Sequence, residues 1–198
     1  MPLLPDHLRV RIASFDDRVD GAFDSVRGNP VTDRIFYGAS ELGDFSLVWF
    51  ILGALRGLRS ERDWQAAVRV GAGLAVESAL VNGVIKSFFR RRRPFSEGFV
   101  HRMPLRRPRT SSFPSGHATA AFSAAALLSE EDALWPLYYA VAAIVASSRV
   151  YVKMHHASDV VAGAALGALM GRAARTLFPL APAPGVAPVS ESQVPGRG

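Results

Sequence analysis

Residues 118–128 and 134–147 run without one charged side chain. A helix on the surface of a water-soluble protein carries a polar face at helical spacing, and these two segments have none. Small residues dominate the apolar segments, as in Ala118-Thr119-Ala120-Ala121 and Ala162-Gly163-Ala164-Ala165. Such residues let helix backbones approach closely inside a bilayer. Uncharged runs such as 133–148 fall short of the roughly 20 residues that a full crossing needs. Polar residues at the helix ends can sit at headgroup level, and Trp135, Tyr138 and Tyr139 suit an interface. The pattern predicts an all-α, integral membrane helical bundle.

The rest of the chain divides into further helical stretches. Residues 5–28 place Leu8, Ile12, Phe15, Val19, Phe23 and Val26 at helical spacing among charges, which predicts an N-terminal amphipathic helix lying in the interface. Asn29-Pro30 reads as its end. Residues 33–58 are apolar around Glu41 and Asp44, and 65–89 form a second long helix interrupted by Arg69 and Glu77. Helices are expected over 115–129, 133–148 and 158–178, making about five transmembrane helices. The loop 94–113, rich in Pro and Arg, reads as irregular, and the Ala-Pro-Ala-Pro tail reads as disordered. The organisation expected is thus an amphipathic segment at 1–30, a membrane domain at 31–178 and a tail at 179–198.

At 198 residues the chain has room for one domain. It has no cysteine, so disulfide frameworks and thiolate metal sites are excluded. Its first ten residues lack the apolar core of a signal peptide, so a soluble secreted protein is not expected. Much of the net charge of +6 falls at Arg90 to Arg93 and at Arg102, Arg106, Arg107 and Arg109. No recognisable nucleic-acid module frames that run, so it reads as a basic loop at a membrane surface or a site for phosphate.

Three segments carry chemistry. In the first, Lys86 and Arg93 lie seven residues apart, which on one helix puts them on a shared face, with Pro94 turning Arg93 into a loop. In the second, Pro114-Ser115-Gly116-His117 opens an apolar helix whose N-terminus favours an anion. Ser115 can cap that turn or donate to phosphate, Gly116 lets a ligand approach the backbone, and His117 sits where its proton could reach a leaving oxygen. In the third, Arg149 offers a planar fork for two phosphate oxygens, and His155 lies one helical turn from Asp159. A carboxylate on one ring nitrogen leaves the other free to attack. His156 is three residues from Asp159, and spacing alone does not exclude it. Ser78 and Asn82 fall on the Lys86 face, whereas Glu77, nine residues before Lys86, falls at 3.6 residues per turn on roughly the opposite one and is left out of the site.

Lys86-x6-Arg93-Pro94, Ser112-Phe113-Pro114-Ser115-Gly116-His117 and Ser148-Arg149-x5-His155-x3-Asp159 together resemble the motifs of the type 2 phosphatidic acid phosphatase superfamily. That superfamily also includes bacterial acid phosphatases and vanadium-dependent haloperoxidases. The resemblance covers roughly residues 80–170. It implies Lys86, Arg93, Arg149, Ser115 and the Gly116 backbone as the phosphate cradle. It implies His155 as the nucleophile of a phosphohistidine intermediate, Asp159 as its orienting partner and His117 as the general acid. Three cations and a helix N-terminus can neutralise a transferring phosphoryl group without a metal or cofactor, and none is expected.

The function expected is that of a membrane lipid phosphatase. The resemblance implies a polyprenyl phosphate or diphosphate, phosphatidic acid or phosphatidylglycerol phosphate as substrate. The alternatives are a vanadium-dependent haloperoxidase, which small size and apolar helices disfavour, and a non-catalytic protein binding anionic lipid. Five spans would place the N-terminus and the catalytic loops on one face of the cell membrane; the positive-inside rule puts the arginine-rich loop in the cytoplasm, whereas the resemblance points to the extracytoplasmic face.

Overall fold

The structure is a computed structural model and describes residues 5–94 and 110–181. The expectations of an irregular loop and a disordered tail fall mostly on residues 95–109 and 182–198, outside the described residues. Among the described residues there are seven α-helices and no strand. These are α1 (Asp6–Asp24), α2 (Pro30–Gly43), α3 (Leu47–Gly57), α4 (Glu61–Ser78), α5 (Gly116–Leu128), α6 (Trp135–Tyr151) and α7 (Ala157–Leu177).

Local sequence explains most boundaries. The Asn29 side chain accepts from the Val31 amide at 2.9 Å with Pro30 in the first turn, so Asn29-Pro30 starts α2 as well as ending the preceding turn. Ser60 caps α4 at the Asp63 amide, 3.1 Å away. The apolar stretch expected over 33–58 is broken at Asp44–Ser46, where Phe45 and Ser46 hold φ of 54° and 60°. Two successive non-glycine residues in the left-handed region store strain, which neighbouring contacts must offset. α4 does not end cleanly either: it runs on through a π turn at Ala79–Val84 and a 3-10 turn at Ile85–Phe88.

α5 lies at the centre. Ala120, Ala121, Ala124, Ala125, Leu127 and Leu128 are all buried, and they pack with Trp49, Val70, Leu74, Tyr138 and Val145. α7 meets α5 through Gly163, Gly167 and Gly171. A methyl group at 163 would stand 2.5 Å from the Ser115 carbonyl oxygen, and one at 167 would run into the Thr119 carbonyl. This close approach is how small residues drive helix association in a bilayer.

Outward faces are apolar, with Leu55, Val68, Val76, Leu80, Ile144 and Leu169 exposed. Three helical units are long and apolar enough to cross a membrane: Pro30–Gly57, Glu61–Phe88 and Ala157–Leu177. The protein is a helical membrane protein. At the end of the bundle where α3 and α5 finish, Arg56 pairs with Asp63 at 2.7 Å, Arg62 with Glu131 at 2.5 Å, Arg59 with Asp132 and Arg69 with Glu130. The other end holds the three motifs.

Candidate active site

Segments far apart in sequence meet where α5 and α7 begin and α6 finishes. After Phe88 the helix is over: Phe89 is extended, with φ −120° and ψ 140°. Lys86 and Arg93 therefore do not share a helical face. Instead residues 91–93 return beside 110–112, held by Ser112 N to Arg91 O at 3.0 Å and Ser112 Oγ to Arg92 O at 3.2 Å. That pairing carries the Arg93 guanidinium to the α6–α7 turn. There its Nη1 donates to Met154 O at 2.9 Å and meets His155 Nε2 at 3.0 Å.

His155 is 2 % exposed, and its Nδ1 lies 2.7 Å from the Ser112 carbonyl oxygen. A carbonyl only accepts, so Nδ1 carries the proton and Nε2 presents its lone pair toward Arg93. Burial, reinforced by Arg93 and Arg149 and opposed by Asp159, pushes the imidazole down to about 3. Its neighbour His156 stands at the α7 N-cap, and its Nε2 faces the Arg92 carbonyl at 3.3 Å. Lys153, with φ 53°, shapes the turn that delivers His155.

Asp159 stands 3.8 Å from His155 Nδ1 and is fully buried. Its shorter contacts go to Arg91 Nη1 at 2.6 Å and to the His156 amide at 3.0 Å. It therefore caps α7 while facing the histidine. Arg91 reaches on to Asp16 of α1 at 2.7 Å.

The Lys86 ammonium donates to Asn82 Oδ1 at 2.8 Å and lies over the start of α5. A methyl group at Gly116 would come within 3.2 Å of both Lys86 Nζ and Asn82 Oδ1, so only glycine leaves room for a ligand there. Ser115 is buried. Its amide donates to Asp159 O at 3.1 Å and its hydroxyl accepts from the Ala118 amide at 3.4 Å. Arg149 is 2 % exposed and donates to Ser40 Oγ. The Nε atoms of Arg93 and Arg149 are buried with no hydrogen-bond partner among the described residues. Buried donors of this kind call for an acceptor, and a tetrahedral anion supplies several.

His117 has a partner that spacing did not reveal: Asp44 Oδ1, 2.8 Å from Nε2. Asp44 sits at the α2–α3 break, and the preceding Gly43 has no room for a side chain, because a methyl there would stand 2.8 Å from His117 Cδ2. Ser40 in the last turn of α2 and Asp44 just beyond it are four residues apart, so the end of α2 serves both Arg149 and His117. The available signal was a carboxylate in an otherwise apolar span.

Glu77 is also placed differently from a regular helix. It is 3 % exposed on the inward stripe of Ala66, Val70, Leu74 and Val81, and Lys86 is buried too. The π and 3-10 turns between the two acidic and basic positions alter the turn angle, so the opposite-face geometry does not hold.

The geometry agrees with what comparison with known proteins finds. The model of the PAP2 superfamily matches residues 66–181. The chain belongs to the PAP2 superfamily. Decaprenylphosphoryl-5-phosphoribose phosphatase of Mycobacterium tuberculosis is 36% identical over 137 residues, 68% of this chain and 73% of the relative. The Mycolicibacterium smegmatis protein of the same name is 36% identical over 127 residues, 63% of this chain and 67% of the relative. Among solved PAP2-type folds, the transmembrane phosphatidylglycerolphosphate phosphatase of Bacillus subtilis superposes with a TM-score of 0.61 at 23% identity, over 84% of this chain and 86% of that one. Aquifex aeolicus LpxE superposes with a TM-score of 0.64 at 23% identity, over 80% and 93% of the two chains. This PAP2 protein is a membrane-embedded phosphatase that hydrolyses a lipid phosphate.

Proposed function

We propose that the enzyme removes the terminal phosphate from a polyprenyl-anchored phosphosugar lipid through a phosphohistidine on His155. The substrate class draws on the name of the mycobacterial relatives, which match most of both chains. Lys86, Arg93, Arg149, Ser115 and the backbone at Gly116 hold the phosphoryl oxygens. Phosphoryl transfer depends on such positioning and on neutralising the charge of the equatorial oxygens. His155 Nε2 attacks phosphorus, and His117 protonates the departing sugar oxygen. A water then attacks the phosphohistidine with His117 as base, releasing inorganic phosphate.

The observation that carries this reading is the buried His155, whose Nδ1 is committed to the Ser112 carbonyl at 2.7 Å while Nε2 faces Arg93 at 3.0 Å. A neutral nitrogen with a fixed lone pair lies beside a cation that can receive the phosphate.

The bundle crosses the cell membrane five times, as α2–α3, α4 with its π turn, α5, α6 and α7. Residues 31–178 form the membrane domain, with 1–30 as its N-terminal segment. The active site shares the N-terminal face, which is extracytoplasmic.

The test is phosphate release in EDTA by detergent-purified protein and by His155→Ala. The panel is a polyprenylphosphoryl pentose phosphate, a polyprenyl diphosphate, phosphatidic acid and an aryl phosphate. Preference for the first, abolished in the variant, supports the reading. Faster release from phosphatidic acid overturns the substrate class, and release that survives the substitution overturns the nucleophile.

A further inference from the structure

We propose that Asp16, on the N-terminal helix α1, is a positioning residue for catalysis: it anchors Arg91 and thereby sets Asp159 beside His155. This rests on the reading that His155 and Asp159 carry the chemistry, and it extends the site beyond residues 66–181, where the superfamily model matches.

Asp16 is the one residue of α1 that is buried, at 5 % exposure, on a helix whose Asp6, Asp17 and Asp24 face solvent. A carboxylate removed from water is costly unless its oxygens are satisfied. Here three donors satisfy it: Ser158 N at 2.7 Å to Oδ1, and Ser158 Oγ at 2.9 Å and Arg91 Nη2 at 2.7 Å to Oδ2.

Arg91 is the bridge. One terminal nitrogen goes to Asp16, while the other goes to Asp159 Oδ1 at 2.6 Å and Ser158 Oγ at 2.8 Å. Among the described residues no other arginine or lysine hydrogen-bonds to Asp159. The guanidinium is planar and rigid, so fixing one end fixes the other. With Asp16 neutralised, Arg91 is free to turn both of its terminal nitrogens onto Asp159. That fork would draw the carboxylate away from His155, from which it stands 3.8 Å. α1 therefore completes the site, although it contributes no group that touches substrate.

The experiment compares kcat and KM for Asp16→Asn, Arg91→Ala, the double variant, Arg91→Lys and His155→Ala, using the lipid from the panel that the wild-type protein hydrolyses fastest. Losing one hydrogen bond to a charged group is worth about 10–100-fold. Asp16→Asn should lower kcat by that factor with KM changed less than about threefold. In the Arg91→Ala background Asp16→Asn should add less than about twofold, because its effect runs through the missing arginine. Arg91→Lys keeps a cation but cannot fork, and should lose kcat to a similar degree while remaining folded. A kcat for Asp16→Asn within twofold of wild type overturns the proposal. So does full activity in Arg91→Lys, or losses that multiply in the double variant, which would make Asp16 only a cap on α7. Activity that persists in His155→Ala overturns the underlying reading instead, whatever the Asp16 result.

Discussion

His155 gives its Nδ1 proton to the Ser112 carbonyl at 2.7 Å, whereas the Asp159 carboxylate stands off at 3.8 Å. The tautomer is thus held by backbone, and Asp159 acts as a nearby charge and as the cap of α7. His155→Ala should abolish phosphate release in protein that still folds in detergent, with a lowered melting temperature because the buried Ser112 carbonyl loses its donor. Asp159→Asn should retain a measurable rate, reduced about 10–100-fold, because Ser112 continues to orient the ring. Single-turnover phosphate release separates the two; equal, complete loss in both variants would contradict this division of roles.

Asp44 gives His117 a charged partner at 2.8 Å and a fixed orientation. If His117 is the acid, the need for it grows with the basicity of the leaving oxygen. Asp44→Asn should then slow release from the sugar phosphate by about 10²-fold and from an aryl phosphate by far less. Equal losses on the two substrates would remove Asp44 from the protonation step.

Acid should affect stability before it affects His155 as the proposed nucleophile. In the unfolded chain His155 binds its proton near pH 6.5, and in the folded protein only near about 3. Its contribution is complete above pH 6.5 and is lost progressively as pH falls from there toward 3. The melting temperature of wild type should drop between pH 7 and 5 more than that of His155→Gln. His155 itself stays neutral over this range, so it does not set an acid limb of kcat above pH 5. An acid limb of kcat assignable to His155 at pH 6 would refute this.

The orphan Nε atoms of Arg93 and Arg149 predict anion binding without turnover. Orthovanadate should inhibit competitively, and Arg149→Ala should weaken that inhibition at least tenfold, read by dose response on the aryl phosphate. Inhibition equal to wild type would exclude Arg149 from the cradle.

The chain has no cysteine, so single cysteines report sidedness directly. Ser14→Cys on α1 and Ala133→Cys in the α5–α6 connection are both exposed. In intact cells a membrane-impermeant maleimide should label the first and spare the second. The reverse pattern would turn the active site to the cytoplasm.

Much was legible before any helix was placed. Uncharged segments such as 118–128 determine an all-α membrane class, because hydrocarbon admits only backbone whose polar groups are satisfied internally. The three motifs, through their resemblance to the PAP2 superfamily, pointed to phosphatase chemistry, whereas spacing alone did not separate His155 from His156. The tertiary structure decided what periodicity cannot reach. His117 and Asp44 are separated by 73 residues, and Arg91 and Asp16 by 75. Such pairs depend on how helices cross and where chains turn. A regular 3.6-residue turn puts Lys86 and Arg93 on one helical face and Glu77 on the far one, and the structure departs from both: the helix ends at Phe88, and Glu77 and Lys86 are both buried. The π and 3-10 turns at Ala79–Phe88 break that regularity, and the pairing of residues 91–93 with 110–112 then returns the chain to the site.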